Sequence, residues 1–153
     1  MPIVWTNSND MYNQSKECLN FFENIQEFFD IENKIYSEYW ESKGETYEVD
    51  NMLCFGDGQI DNIAFDYATK QATVRFVKYL PCKREYRGKI CNNIFYVFDF
   101  ENVEEFRCDI APEYYINDFY IQKNESGRFF ILIEGLDLSF SFGKGKANRW
   151  WME

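Results

Sequence analysis

Ile94-Phe95-Tyr96-Val97-Phe98-Asp99-Phe100 is the stretch on which the fold turns. Ile94, Tyr96, Phe98 and Phe100 fall on one side of an extended chain, the two-residue period of a β-strand. Phe95 and Val97 make the opposite side apolar as well, and a strand with two apolar faces belongs in the middle of a sheet. Upstream, Ile60 to Tyr67 places Ile63, Phe65 and Tyr67 on one face. Ala68-Thr69-Lys70 turns the chain, and Gln71 to Leu80 returns with Ala72, Val74 and Phe76 inward, a hairpin. Pro81 to Lys89 carries Lys83, Arg84, Arg87 and Lys89 against one acid, Glu85, and is predicted to be a solvated loop.

Downstream, Val103 to Cys108 is expected to continue the central strand past a bend at Glu101-Asn102. Ile116 to Lys123 and Arg128 to Glu134 flank Asn124-Glu125-Ser126-Gly127, a hairpin turn with Gly for positive φ. Leu136, Leu138, Phe140 and Phe142 then alternate with Asp137, Ser139 and Ser141. A turn at Gly143-Lys144-Gly145-Lys146 leads to a closing segment, Arg149-Trp150-Trp151. If extended, that segment sends its two indoles to opposite faces. About six or seven strands joined by short turns favour an antiparallel sheet, curled or folded into two layers.

The period differs before residue 50. Cys18, Phe21, Phe22, Ile25, Phe28 and Phe29 recur at three- and four-residue steps, the spacing of a helix with one buried face, with Ser15 as its N-cap. The spacing continues through Ile35 and Tyr39, so this helix or a second one runs to about Ser42, before Gly44. The expected class is α+β: one or two N-terminal helices packed on the antiparallel sheet. The 153 residues are read as a single domain, 1–50 an acidic helical part and 51–153 an antiparallel β part.

Composition narrows the chemistry. The chain has no histidine, so the usual neutral-pH acid-base and the commonest metal ligand are missing. Its formal charge is −10, and residues 1–48 hold 10 acidic against 3 basic side chains. Such a surface repels nucleic-acid phosphates and attracts a basic protein. Five cysteines (18, 54, 82, 91, 108) are scattered without a C-x-x-C pair, as expected of reduced thiols. Met1 to Asp10 has neither a basic n-region nor an apolar h-region, and no run is long enough to span a membrane. A cytoplasmic protein without membrane attachment is the expectation.

Candidate chemistry is sparse. Phe55-Gly56-Asp57-Gly58-Gln59-Ile60-Asp61 lacks the ligand spacing of a calcium loop and the Lys-Ser/Thr of a phosphate loop, so Asp57 and Gly58 read as a turn. Asp99, Glu101, Glu104 and Glu105 offer carboxylates without an evident orienting partner. Cys91 lies among cations that would lower a thiol pKa, yet has no histidine as base. Trp40, Tyr114, Tyr115, Tyr120, Trp150 and Trp151 suit ring stacking, although a chain with 11 Tyr and 16 Phe needs most of its rings for the core. Tyr36, Tyr39 and Trp40 differ in sitting among acids on a predicted helix, the mixture of an interface hot spot. No catalytic residue, metal or cofactor is expected. The partner-binding set is Glu23, Glu27, Glu38, Tyr39, Trp40, Glu41, Glu45 and Glu48.

The order of features resembles a known family. Trp5-Thr6-Asn7 comes first, then an apolar helix ending near Phe28-Phe29, then Asp57, Ile60 and Ile63 opening a strand and a long hairpin. Phe98-Asp99-Phe100-Glu101-Asn102-Val103-Glu104-Glu105-Phe106 follows, and the chain closes with a hairpin at Gly127 and Leu136-Asp137-Leu138-Ser139-Phe140. This arrangement resembles the small single-domain immunity proteins of bacterial polymorphic toxin systems. The resemblance implies a cytoplasmic protein that binds and neutralises a cognate toxin without catalysis. Its acidity would match a toxin surface kept basic for nucleic acid. Two other readings stay open: a small-molecule or carbohydrate binder using exposed rings, and a histidine-less enzyme using carboxylates or a thiol. An exposed edge strand also leaves a weak homodimer open.

Overall fold

The computed structural model describes residues 8–50, 53, 58–109, 118–134 and 138–153. Two helices, α1 (Ser8–Leu19) and α2 (Ile25–Ser42), precede eight strands among these residues. The strands are β1 (Gln59–Asp66), β2 (Gln71–Tyr86), β3 (Lys89–Glu101), β4 (Glu104–Cys108), β5 (Asp118–Lys123), β6 (Phe129–Glu134), β7 (Leu138–Phe142) and β8 (Lys144–Met152). They form two four-stranded antiparallel sheets, β1-β2-β3-β8 and β4-β7-β6-β5. The class is α+β, with both helices packed on the sheets: α1 against β5, and α2 against β2 and β8.

The doubly apolar strand is central: β3 pairs with β2 on one side and β8 on the other. Its inner face, Ile94, Tyr96, Phe98 and Phe100, is buried together with Ala72, Val74 and Phe76 of β2. Phe22, from the link between the helices, stands edge-on to Phe98, Phe100 and Phe142 at 5.6–5.9 Å between centroids, tying both sheets to the helical layer.

The two sheets are joined by one bent ribbon. The β3–β8 pairing ends at Glu101↔Lys144, and the β4–β7 pairing begins at Glu104↔Ser141. Between them the outgoing and returning strands turn together. Asn102 adopts φ 54° and the Gly143 N–H donates to the Glu101 carbonyl at 2.9 Å. Residues 103–108 therefore do not prolong the central strand within its sheet, as the sequence reading expected, but cross into the second sheet. Only Gly143 separates β7 from β8, where a four-residue turn was expected.

Three further expectations are corrected. The apolar helix from Cys18 to Phe29 is interrupted: Asn20 to Asn24 is a turn, Asn24 is left-handed (φ 62°), and Phe21 is 58% exposed. Ser15 is not an N-cap. It lies inside α1, fully buried, and its hydroxyl accepts the Ile121 N–H of edge strand β5 at 2.9 Å. Pro81 to Lys89 is not a loop but the far end of the β2–β3 hairpin, closed by Arg87-Gly88 with both φ positive (51° and 78°), the geometry of a type I′ turn. Pro81, which has no N–H to donate, falls in the register shift between Tyr79 and Arg84, where a strand tolerates it.

The hairpins at Ala68-Thr69-Lys70 and Asn124 to Gly127 form as expected. Trp5-Thr6-Asn7, Phe55-Gly56-Asp57, Tyr114, Tyr115 and Gly135-Leu136-Asp137 lie outside the described residues.

Candidate functional site

Helix α2 carries five of the eight predicted binding residues, and its placement rests on a buried polar anchor. On the inner face of β2, Lys78 continues the line of Val74 and Phe76; on the apolar face of α2, Glu32 follows Phe28 and Phe29. The two opposite charges meet in an ion pair, with Glu32 3% and Lys78 7% exposed. The second Glu32 oxygen accepts the hydroxyl of fully buried Tyr96. Burial, with the Glu32 carboxylate next in weight, pushes the Tyr96 phenol well above its ordinary pKa and keeps it a donor. Lys78 also lies over the Tyr36 ring, 5.1 Å from its centroid. The sequence reading missed this anchor, although a lone charge on each of two apolar faces was a signal for it.

With that face inward, the opposite face is set by the 100° step of the helix. Glu27, Asp30, Lys34, Glu38 and Glu41 fall in one stripe and, apart from the single lysine, are acidic. All five are exposed. Glu27 accepts the Trp150 indole N–H at 3.1 Å, and Glu38 pairs with Arg84 of the long hairpin. Residues after the helix fold back across it: the Tyr47 hydroxyl (3.1 Å) and the Asp50 N–H (3.3 Å) both donate to buried Asn33, and Tyr47 stacks on Tyr36. Burial, with Glu32 and Asp50 nearby, raises the Tyr47 pKa. The return segment displays Glu45 and Glu48, both exposed.

Tyr39 and Trp40 are not on the acidic stripe. They continue the inward line of Phe28, Phe29 and Tyr36, about 120–140° around the helix from it. Full burial ends at Ile35, so both rings are half-buried, packed edge to face at 5.2 Å with Lys43 over Tyr39. Glu23 stands apart at the other end. It precedes α2, bridges to Lys146 through its backbone and pairs with Lys144 at 3.4 Å. The helix between spans about 27 Å at 1.5 Å per residue. Seven of the eight predicted residues therefore share α2 and its return segment, while Glu23 belongs to the β8 junction.

The other candidate chemistries do not assemble. Asp99 is satisfied by Thr73 (3.0 Å) and Asn148 (2.6 Å), whereas Glu104 and Glu105 lie across the ribbon bend in the second sheet. Arg75 pairs with Asp61, and Arg107 is exposed on β4. Cys91 is buried, its thiol donating to the Lys89 carbonyl at 3.6 Å. Trp150 and Trp151 do point to opposite faces, Trp150 toward α2 and Trp151 stacked on Phe95 at 4.8 Å. Among the described residues no group of three or more Cys, Asp or Glu is placed to hold a metal ion, and no helix is long and apolar enough to cross a membrane. Comparison with known protein families, curated proteins and solved structures finds no match to this chain.

Proposed function

We propose that this chain is a binding protein without catalysis of its own, and that the outward stripe of α2 with its return segment engages a basic protein, as an immunity protein engages its toxin. The observation that carries the reading is the exposed acid of Glu27, Asp30, Glu38 and Glu41 along one face of α2, interrupted only by Lys34, with Glu45 and Glu48 exposed on the return segment. An acidic surface of this kind raises the rate of encounter with a cationic partner, and falls in effect as salt screens it. Tyr39 and Trp40, beside the stripe where the core stops, supply the apolar contact that charge alone lacks.

The test is capture of the products of adjacent genes on the immobilised chain at low salt. A basic protein retained there, eluted by salt and lost on E41K/E45K/E48K, supports the proposal. Retention unaffected by that variant, or no retained neighbour at all, counts against it.

A further inference from the structure

The sheet β1-β2-β3-β8 has a core side and an open side. On the core side Tyr96, Phe98 and Phe76 meet Phe28, Phe22 and Phe119. On the open side Val77, Phe95 and Trp151 stand abreast across β2, β3 and β8, all three half-buried. Tyr79, the next outward residue of β2, is 72% exposed. An apolar row left on a sheet face marks an interaction surface.

The row beside it carries charge in a fixed order. Arg75, Val97 and Arg149 are paired across the same three strands. Both guanidiniums lean toward Trp151, 6.0 and 4.8 Å from its centroid, and their stems roof Val97, which is 5% exposed. Asp61, in the bulge of β1, pairs with Arg75, so an acid ends the row at one edge and Arg149 ends it at the other. The following row holds Asp99, bonded by Thr73 and Asn148, with Lys146 beside it. The open face is thus close to neutral in a chain of net charge −10. Among the described residues, the ring, ion-pair and hydrogen-bond contacts of these side chains run within the face.

We propose that this face binds a second copy of the chain, sheet on sheet, about a twofold axis parallel to the strands. Such an axis keeps each row over itself and reverses the strand order, so β1 lies over β8 of the second copy and β2 over β3. Arg149 then meets Asp61 of the second copy, Val77 meets Phe95, each contact occurs twice, and no like charges oppose each other. A strongly basic or strongly acidic partner would instead leave one end of the row facing its own sign. The net charge does not oppose the contact, because the Glu32–Lys78 pair places α2 on the core side and the acidic stripes lie on the far sides of the pair. Sheets pack about 10 Å apart, and charges are screened beyond about 8 Å at physiological salt. Both stripes stay accessible, so the inference stands apart from the partner proposed for α2.

Four strands about 4.8 Å apart, along the run Asn93–Asp99 at about 3.4 Å per residue, cover about 460 Å² on each copy in projection. The two copies together hide about 900 Å², the size of a weak and reversible contact, with Kd of about 10–100 μM.

The test is sedimentation equilibrium of the whole chain from about 5 to about 500 μM at physiological salt. The weight-average mass is expected to rise from that of the monomer toward twice that value. V77K, which sets a charge against Phe95 of the second copy, should weaken association about tenfold or more. R149E and D61R, both at exposed positions, should each do the same by bringing like charges together twice, at a cost of about tenfold or more. Mixed in equal amounts, R149E and D61R should associate to within about threefold of the original affinity, because each contact again joins an acid to an arginine. A chain that stays monomeric at about 500 μM would overturn the proposal, as would a mixture that fails to recover association. A dimer that survives V77K or either charge reversal is joined elsewhere, at the β1 edge for example, and overturns it too.

Discussion

E32Q should unlatch α2 from the sheet. The glutamine retains the shape of Glu32 and an oxygen for the Tyr96 hydroxyl, but leaves the Lys78 ammonium, 7% exposed, without its counter-charge. Removing one member of a buried ion pair costs about 3–5 kcal/mol, because the remaining charge has lost both its water and its counter-charge. With a urea slope of about 2 kcal/mol per molar, a loss of about 4 kcal/mol lowers the unfolding midpoint by about 2 M. The double variant E32Q/K78M removes both charges from that site, and should recover more than half of that loss despite retaining neither partner. Equilibrium urea unfolding followed by far-ultraviolet circular dichroism measures all three. A shift under about 0.5 M for E32Q, or a double variant no more stable than the single, would refute the claim that this ion pair is what holds the helix in place.

Three smaller predictions concern the frame around the site. G145A would set a new methyl 2.7 Å from two ring carbons of Phe22, which is walled in by Phe98, Phe100 and Phe142, so a loss of about 1–3 kcal/mol is expected in calorimetry. An unchanged melting temperature would mean that ring can move. Iodoacetamide at pH 8 should label exposed Cys82 and Cys108 well before Cys18 and Cys91, by mass spectrometry of the folded chain. Burial, with Glu17 adding to it, pushes the Cys18 thiol up to about 11 and keeps it protonated. That thiol's contribution to stability is complete below its unfolded pKa and fades as pH rises from about 9 toward about 11; rapid Cys18 labelling at pH 8 would contradict the burial argument. At the first hairpin, the Asp66 carboxylate accepts the Ala68 and Thr69 N–H groups, which hold its pKa below the ordinary carboxylate value. The turn should therefore keep its support above the usual carboxylate range and lose it as pH falls through the depressed value. A carbon-13 titration placing Asp66 at or above an unperturbed aspartate would contradict this.

Local chemistry wrote much of this molecule legibly. Alternation on both faces of Ile94 to Phe100 was enough to make that strand central, because only a strand covered on two sides can afford rings on both. Turn residues marked the first hairpin and the one at Asn124 to Gly127, since positive φ and side-chain acceptors are properties of single residues. The acidic exterior of α2 was also readable: a helix that buries Phe28, Phe29 and Ile35 has no choice about where Glu27, Glu38 and Glu41 point.

Other features depend on contacts that no local pattern encodes. The polar stretch from Pro81 to Lys89 is a strand because a two-stranded ribbon reaching past the core needs backbone pairing and not apolar alternation. Asn102 and Gly143 look like ordinary turn residues, yet at this pair, where the Gly143 N–H donates to the Glu101 carbonyl, a whole ribbon bends from one sheet into the other. The meeting of Glu32 with Lys78 joins residues 46 positions apart, and the orientation of Tyr39 and Trp40 follows from it. The contact between the hairpin tip and β8 arises in the same way: Tyr86 and Trp150 are distant in sequence, and only strand pairing and curvature bring them together.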